Sequence, residues 1–346
     1  MQTKRGEIMA LSVENKESIL PSTLEIVRDN IVKYGNPLGL KSKEVAKWAR
    51  GLNLPQKGEV LFYTGGEYQL APYIDGLIDM LTRMDQKSNI FSLMIGMRNA
   101  VDRVTGINPE KIIAGMMCKD KDRYQEINLK AAKVLNKFGF EFCYLGEKEL
   151  YSGALLYEYG FIDDLMVHAR KLADNIRSTG ATTIICTSPH AAEVFKFVYP
   201  ELLGDFSYEV KTFFEVVYEK MRDNDLKLES GKNTFTIHDS CRMARELGIT
   251  EEIRQLLGWV KGVKVVEPQM NREWTSCCGG TSKVLFPALA EKIAQRRIGE
   301  LTETGAEKVL TFCPYCLSAL ERAKEKESTA IQLKDFIEFI YEEVMA

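Results

Sequence analysis

The sequence predicts an α/β protein made of two duplicated parallel-sheet halves behind a short helical N-terminal segment. Three observations carry this reading. From about residue 58 onward, short β-rich runs alternate with stretches of helical length, the texture of parallel strands joined by helical crossovers. A block then recurs without a gap. Ser178–Ala191 lies over Glu303–Cys316, with Thr-Gly-Ala on Thr-Gly-Ala and Ser188-Pro189-His190-Ala191 on Cys313-Pro314-Tyr315-Cys316. Residues 1–54, by contrast, show no strand alternation.

The elements follow in order. Ser22-Thr23-Leu24-Glu25 has the form of a capping box and opens Leu24, Ile26, Val27 and Ile31 at helical spacing. Gly35-Asn36-Pro37-Leu38-Gly39 stops that helix, and Ser42 to Arg50 predicts a second, with Ser42 as N-cap. Glu59–Tyr63, Lys111–Ala114, Phe140–Tyr144, Thr182–Cys186, Phe235–His238, Val263–Val266 and Lys308–Thr311 are the expected strands. Asp163–Ser178 and Leu289–Glu303 are expected helices between them. With a small shift the repeat continues, Val210–Glu219 lying over Leu333–Glu342. Upstream, Tyr151-Ser152-Gly153 falls near the place of Cys277-Cys278-Gly279. The polar stretch Asp223–Asn233 reads as a linker. The expected division is residues 1–57 helical, 58–225 a first α/β half without ligands, and 226–346 a second half that carries them.

Composition limits what such a chain can do. The 346 residues carry 46 Lys and Arg against 49 Asp and Glu, a net charge of −3, so there is no bulk attraction for nucleic acid. The apolar fraction of 45% and charged fraction of 27% are those of a globular protein. No apolar run is long enough to span a bilayer, and Met1 to Lys16 lacks a signal-peptide core. The expectation is a cytoplasmic chain, peripheral to any membrane complex through its partners. In that compartment clustered cysteines point to metal or catalysis more than to disulfides.

Five of the eight cysteines form one pattern, Cys241, then Cys277-Cys278-Gly279-Gly280, then Cys313-Pro314-Tyr315-Cys316. Five thiolates are one more than a tetrahedral zinc or a four-iron cubane uses. The surplus points to an unusual iron–sulfur site. The alternatives are a zinc site using four of the five, which would make the protein a zinc-stabilised scaffold, and disulfides. Cys241 and the Cys313/Cys316 pair each follow a strand and open a helix, where a thiolate is favoured. Neighbouring side chains in a strand point apart. Gly279 and Gly280 supply the turn that lets Cys277 and Cys278 converge. Cys118, Cys143 and Cys186 lie in or beside apolar runs and read as core thiols. His238, three residues before Cys241, is either a structural histidine or a catalytic acid for a departing thiolate. His190 is expected to pack. Lys283, Arg242 and Arg272 read as solvated charges, with attraction of an anionic substrate as the alternative.

These cysteine motifs resemble the cysteine-rich CCG domain of heterodisulfide reductase catalytic subunits, of the B and D types, and of related iron–sulfur oxidoreductases. The resemblance covers about residues 58–346. It implies one noncubane [4Fe-4S] cluster on Cys241, Cys277, Cys278, Cys313 and Cys316, and chemistry on a disulfide-type substrate, a small disulfide or a protein sulfur. The first half departs from the pattern. It reads Gly65-Gly66 where Gly-Cys is expected, then Tyr151-Ser152-Gly153, then Ser188-Pro189-His190-Ala191, with no cysteine at any expected ligand position. That half would then shape a substrate pocket with Tyr63, Tyr68, Tyr151 and His190, or dock a partner. No C-x2-C-x2-C run precedes the Tyr34–Gly39 segment. The resemblance therefore implies partners that would feed electrons in: a ferredoxin-like iron–sulfur subunit, similar to the C-type component of heterodisulfide reductase, and a flavin subunit. A pure electron-transfer subunit of a dehydrogenase complex is the rival function.

Overall fold

A computed structural model describes residues 22–83 and 121–345. Two parallel sheets organise it. The first holds β1 (Val60–Tyr63), β2 (Thr183–Cys186) and β3 (Glu209–Thr212) in the order β1-β2-β3. The second holds β4 (Leu228–Ile237), β5 (Val260–Val265), β6 (Lys308–Thr311) and β7 (Gln332–Asp335) in the order β5-β4-β6-β7. Every pairing is parallel. The central strands are short apolar runs, buried at Leu61, Phe62, Ile184, Ile185, Val309 and Leu310, as strands covered by helices on both faces must be.

The duplication predicted from the repeat is visible in the registers. In the first half Thr183 pairs with Glu209 and Cys186 with Thr212; in the second Lys308 pairs with Gln332 and Thr311 with Asp335. An isolated bridge from Leu61 to Cys143 puts the Phe140–Tyr144 run beside β1, where β5 stands beside β4. Both halves therefore run in the same spatial order. Each outer strand also ends in a capped helix. Thr212 and Glu215 exchange capping bonds at the start of Phe213–Asp223. At the start of Phe336–Met345 the Asp335 N–H donates to Glu338, and the Asp335 carboxyl accepts from the Ile337 N–H. These caps close orphan N–H groups at the helix entrance.

The structure differs from the sequence expectations at several points. β3 and β7 lie outside the expected strands. They have four residues each, with one side chain in two facing the core, and carry Lys211 and Lys334, the polar, short form that protects sheet edges. The polar stretch expected to be a linker is partly strand, since β4 begins at Leu228. Among the described residues, Phe140–Tyr144 makes a single bridge, at Cys143. Ser42 is the first helical residue, and its N-cap position belongs to Lys41. The expected strand Lys111–Ala114 and Cys118 lie outside the described residues.

Polar contacts lock the halves together. Arg123, on the helix Lys121–Lys137, reaches Glu338 at 2.7 Å, Glu321 at 2.7 Å and the Leu333 carbonyl at 2.9 Å. Tyr68 donates to Asp335 at 2.8 Å. Lys283 and Ser318 both bond Asp75. Among the described residues, no helix is long and apolar enough to cross a membrane.

Candidate metal centre

The cysteines arrive from three segments, all just beyond the carboxyl ends of strands in the second sheet or on the loop that packs against them. Open α/β sheets place ligand sites there. β4 ends at Ile237, and His238-Asp239-Ser240 leads to Cys241, which caps one turn of π-helix, Arg242–Glu246. β6 ends at Thr311, and Cys313 caps the helix Pro314–Glu327, putting Cys316 in its first turn. Pro314 sits at the helix start, where no N–H is missed.

Cys277 and Cys278 come in on a loop shaped by glycine. Gly279 has φ +73°, and a Cβ there would stand 2.6 Å from the Ala290 carbonyl oxygen. A Cβ on Gly280 would meet Cys278 Sγ at 3.3 Å and Tyr315 Cβ at 3.0 Å. The loop thus needs both glycines to press the two sulfurs toward the other segments. Cys278 Sγ lies 3.2 Å from Cys316 Sγ, and the Gly279 N–H donates to Cys277 Sγ at 3.3 Å. Cys241 and Cys313 lie near enough to the other sulfurs to shift their charge states and to be shifted by them, so the five thiols act on one another as one cluster. Cys278, Cys313 and Cys316 are buried, Cys241 is half-buried, and Cys277 is exposed.

The thiols divide unevenly between charge states. Hydrogen bonds from Cys241 and Cys278 hold Cys277 down to about 2. Burial pushes Cys313 up, but hydrogen bonds from Cys316 and His190 and the His190 charge more than offset it and hold it well below the usual thiol range. Cys241 and Cys278 are pushed up, first by their bonds to Cys277 and then by burial. Cys316 is pushed up by its bonds to Cys278 and Cys313. Five like-charged sulfurs cannot all ionise side by side. A cationic metal centre removes that obstacle, because a coordinating thiol loses its proton outright.

An orphan donor supports the same fit. His238 is fully buried, and its Nδ1 accepts from Arg297 Nε at 3.1 Å. Among the described residues the Nε2 atom has no hydrogen-bond partner. A ring nitrogen of His238 and the sulfurs of Cys278 and Cys316 lie within 4.8 Å of one another. Burial, then the Arg297 charge, lowers His238 to about 3, so the ring is neutral with its proton on the unpartnered nitrogen. A buried N–H without an acceptor is rare, and sulfide or thiolate sulfur beside it would supply one. The donor set therefore fits an iron–sulfur cluster: soft thiolates in excess of four, and a buried N–H without an acceptor on a ring beside them.

The first half carries other residues at the positions that correspond to the five cysteines. The strand registers place Gly66 where Cys241 stands in the second half, and Ser188 where Cys313 stands. Gly153, like Gly279, is left-handed, at φ +83°. Ser152 precedes it as Cys278 precedes Gly279. Glu67 fills the space between these positions. Its carboxyl accepts from Ser188 Oγ at 2.5 Å and Ser152 Oγ at 3.1 Å. Burial raises Glu67 to about 7, against the His190 charge and the serine bonds. No motif singles out Glu67 in the sequence, where it is a lone acid beside glycine and tyrosine.

Charges expected to be solvated are paired. Lys283 is buried against Asp75 and Ser318. Arg242 holds Glu193 at 2.7 and 2.8 Å and Glu158 at 2.9 Å. Arg272 bonds Glu251. The tyrosines are also engaged within the protein. Tyr63 donates to the Leu150 carbonyl at 2.7 Å, and Tyr151 and Tyr315 meet across the halves at 3.4 Å. The core reading of Cys143 and Cys186 agrees with their burial away from the five.

Residues 235–321 match the family model of the CCG cysteine-rich domain, a span that holds all five converging cysteines. The chain carries a CCG cysteine-rich domain over those residues. This CCG chain is 28% identical over 276 residues to the D-type subunit of the dihydromethanophenazine:CoB--CoM heterodisulfide reductase of Methanosarcina mazei, covering 74% of the chain and 68% of that protein. The corresponding protein of Methanosarcina acetivorans is 30% identical over 62% of the CCG chain and 54% of its own length. A probable iron-sulfur-binding oxidoreductase, FadF, of Bacillus subtilis is 29% identical over 67% of the CCG chain and 33% of its own length. The CCG chain thus spans between a third and about two thirds of these relatives.

Proposed function

We propose that this chain is an iron–sulfur redox subunit holding one noncubane [4Fe-4S] cluster on Cys241, Cys277, Cys278, Cys313 and Cys316, and that it reduces or forms a disulfide-type sulfur bond. The observation that carries the reading is the convergence of five sulfurs from three segments, beside a buried N–H with no acceptor. The two Methanosarcina relatives, each named as one subunit of a heterodisulfide reductase, support the sulfur chemistry and the need for electron-supplying partners, of which a ferredoxin-like iron–sulfur subunit is the first. A bound cluster supplies single electrons and iron with affinity for sulfur.

The residues supply the rest. Cys277 is the exposed member of the set, so a substrate sulfur or partner approaches on its side. Asp239 and Arg254 brace the Cys241 loop through bonds of 2.5 and 2.8 Å. Of the two parts the sequence leaves open to His238, the structural one is favoured. As a neutral ring held by Arg297 it donates a hydrogen bond to sulfur and releases no proton near neutral pH. Lys283 is tied inside the protein, which leaves it no role in drawing an anionic substrate.

Anaerobic purification with iron and acid-labile sulfide analysis tests the cluster. The expected result is brown protein with near-equal iron and sulfide and a paramagnetic signal on one-electron oxidation or reduction. Colourless protein with one zinc would instead leave the scaffold reading. A thiol-release assay with a reduced dye donor then tests the chemistry. FadF, whose name carries no sulfur substrate, favours the second reading, a pure electron conduit. A reducible cluster that turns over no disulfide would establish it.

A further inference from the structure

The helix Pro287–Thr302 carries a guanidinium into the interior beside the site. Arg297 is fully buried, and so is the ring of His238, the residue that follows β4. The His238 backbone is fixed by its N–H, which donates to the Leu310 carbonyl of β6 at 2.9 Å. Arg297 Nε donates to His238 Nδ1 at 3.1 Å. One terminal nitrogen of Arg297 donates to the Met270 carbonyl at 2.8 Å and to Glu300 at 3.0 Å. Among the described residues its other terminal nitrogen has no hydrogen-bond partner. A buried cationic donor left unmet is costly, and an apolar side chain of similar size would fill the same space without that cost. The direction of the bond to Nδ1 is what an apolar side chain could not reproduce. A guanidinium has donors and no acceptor, so Nδ1 can only accept. A neutral imidazole carries one proton, which is then on Nε2. A doubly protonated ring would set N–H against N–H.

We propose that Arg297 is a positioning residue: by donating to Nδ1 it locks His238 in the Nε2–H form, bars the ring from ligating metal and makes it a hydrogen-bond donor that raises the reduction potential of the cluster. The inference rests on the cluster reading above. A ring nitrogen of His238 lies within 4.8 Å of the Cys278 and Cys316 sulfurs, near enough for the ring to compete as a ligand. A ligating histidine offers one nitrogen's lone pair to the metal and donates from the other. Arg297 imposes the reverse, so the nitrogen left over carries a proton and no lone pair. A hydrogen bond to cluster or ligand sulfur withdraws electron density, stabilises the reduced state and raises the potential. The interior around it is water-poor, where such effects are strongest. The same helix packs Ala290 against Gly279, so one element braces both the Cys277-Cys278 loop and the donor.

The first test needs no variant. Iron and sulfide are counted in wild-type protein grown on isotopically labelled histidine, of which the chain has three residues. Pulsed electron paramagnetic resonance of the paramagnetic state then reads the coupling of the label to the cluster. Weak coupling is expected; the strong coupling of a ligating nitrogen overturns the proposal. Midpoint potentials of Arg297→Met, His238→Leu and the double variant follow by dye-mediated titration. Each single variant should keep its iron and show a lower midpoint, and the double variant should match His238→Leu, because Arg297 acts through the ring. A shift from Arg297→Met that persists undiminished in the His238→Leu background overturns the proposal, since the guanidinium would then act by its own charge. So does an unchanged midpoint in Arg297→Met. Loss of iron from either single variant makes the pair a structural brace and overturns it too. Wild-type protein without iron and sulfide would overturn the cluster reading itself, and that is seen before any coupling is read.

Discussion

Single sulfurs separate the site from the core. Cys313 and Cys186 are both buried and both follow or end a central strand, yet their neighbours differ. Cys316 and His190 beside Cys313 hold its thiol well below the usual range, against burial. Cys186 ends β2, and burial, more than any charge near it, pushes its thiol far up. Cys313→Ser should abolish most bound iron and sulfide, since a hydroxyl is a hard, poorly ionised substitute for a thiolate. Cys186→Ala should keep the metal content of wild type and lose about 1 kcal/mol of stability through the small cavity left behind. Metal analysis and urea denaturation of both variants check the contrast. Iron lost from Cys186→Ala with Cys313→Ser unaffected would mean that the ligand set is misassigned.

Elements decide whether those sulfurs can meet at all, and glycine shows it. Gly279→Ala places a Cβ 2.6 Å from the Ala290 carbonyl oxygen and forces φ +73° on a residue that disfavours it. The variant should lose on the order of 2 kcal/mol or more and bind iron poorly. Gly299, inside the helix Pro287–Thr302, has open space around its Cβ position. Gly299→Ala should raise stability by roughly 0.5–1 kcal/mol and leave the iron content alone. Equal thermal shifts in the two variants would contradict this. The Cys-Cys-Gly-Gly turn was legible in sequence because adjacent thiols need such a turn to converge. The inner strands were legible as apolar runs, and the repeat carried the correspondence of Ser188 with Cys313 that the registers show. β3 and β7 were not legible, because four residues with a single large apolar side chain each, Val210 and Leu333, carry little β signal. The partners of Glu67, and the contacts of His190 and Arg242 with Glu158, were hidden for another reason. Each depends on chain segments well separated in sequence meeting in space.

At the scale of the whole molecule, the join between the halves stores ionisable groups in the interior, and stability should follow pH accordingly. Burial raises Glu67 to about 7, Glu149 to about 8 and Asp335 to about 7. A carboxyl raised in the folded state holds a proton that the unfolded chain has already released. Its contribution is complete below the unfolded value, about 4, and is lost as pH rises through the folded one. Glu338 works in the opposite direction. Burial pushes it up, but the Arg123 bonds and charge prevail and lower it, so its contribution is present above about 4.5 and is lost in acid. The two trends together place the optimum of stability in mildly acidic solution, with a decline from about pH 5 toward pH 8. Glu149 is the clearest test. It bonds the Thr64 hydroxyl and, at 3.1 Å, the Thr64 amide, and none of its bonds goes to a cysteine of the site. Glu149→Gln keeps the shape and hydrogen bonding of the protonated acid but cannot ionise. Urea denaturation under anaerobic conditions should show the variant losing less stability than wild type between about pH 6 and pH 8. The slopes should differ by something on the order of 1 kcal/mol per pH unit. Parallel slopes would mean that Glu149 is ionised in the folded protein over that range, and that the interior between Thr64 and Tyr144 is wetter than its burial implies.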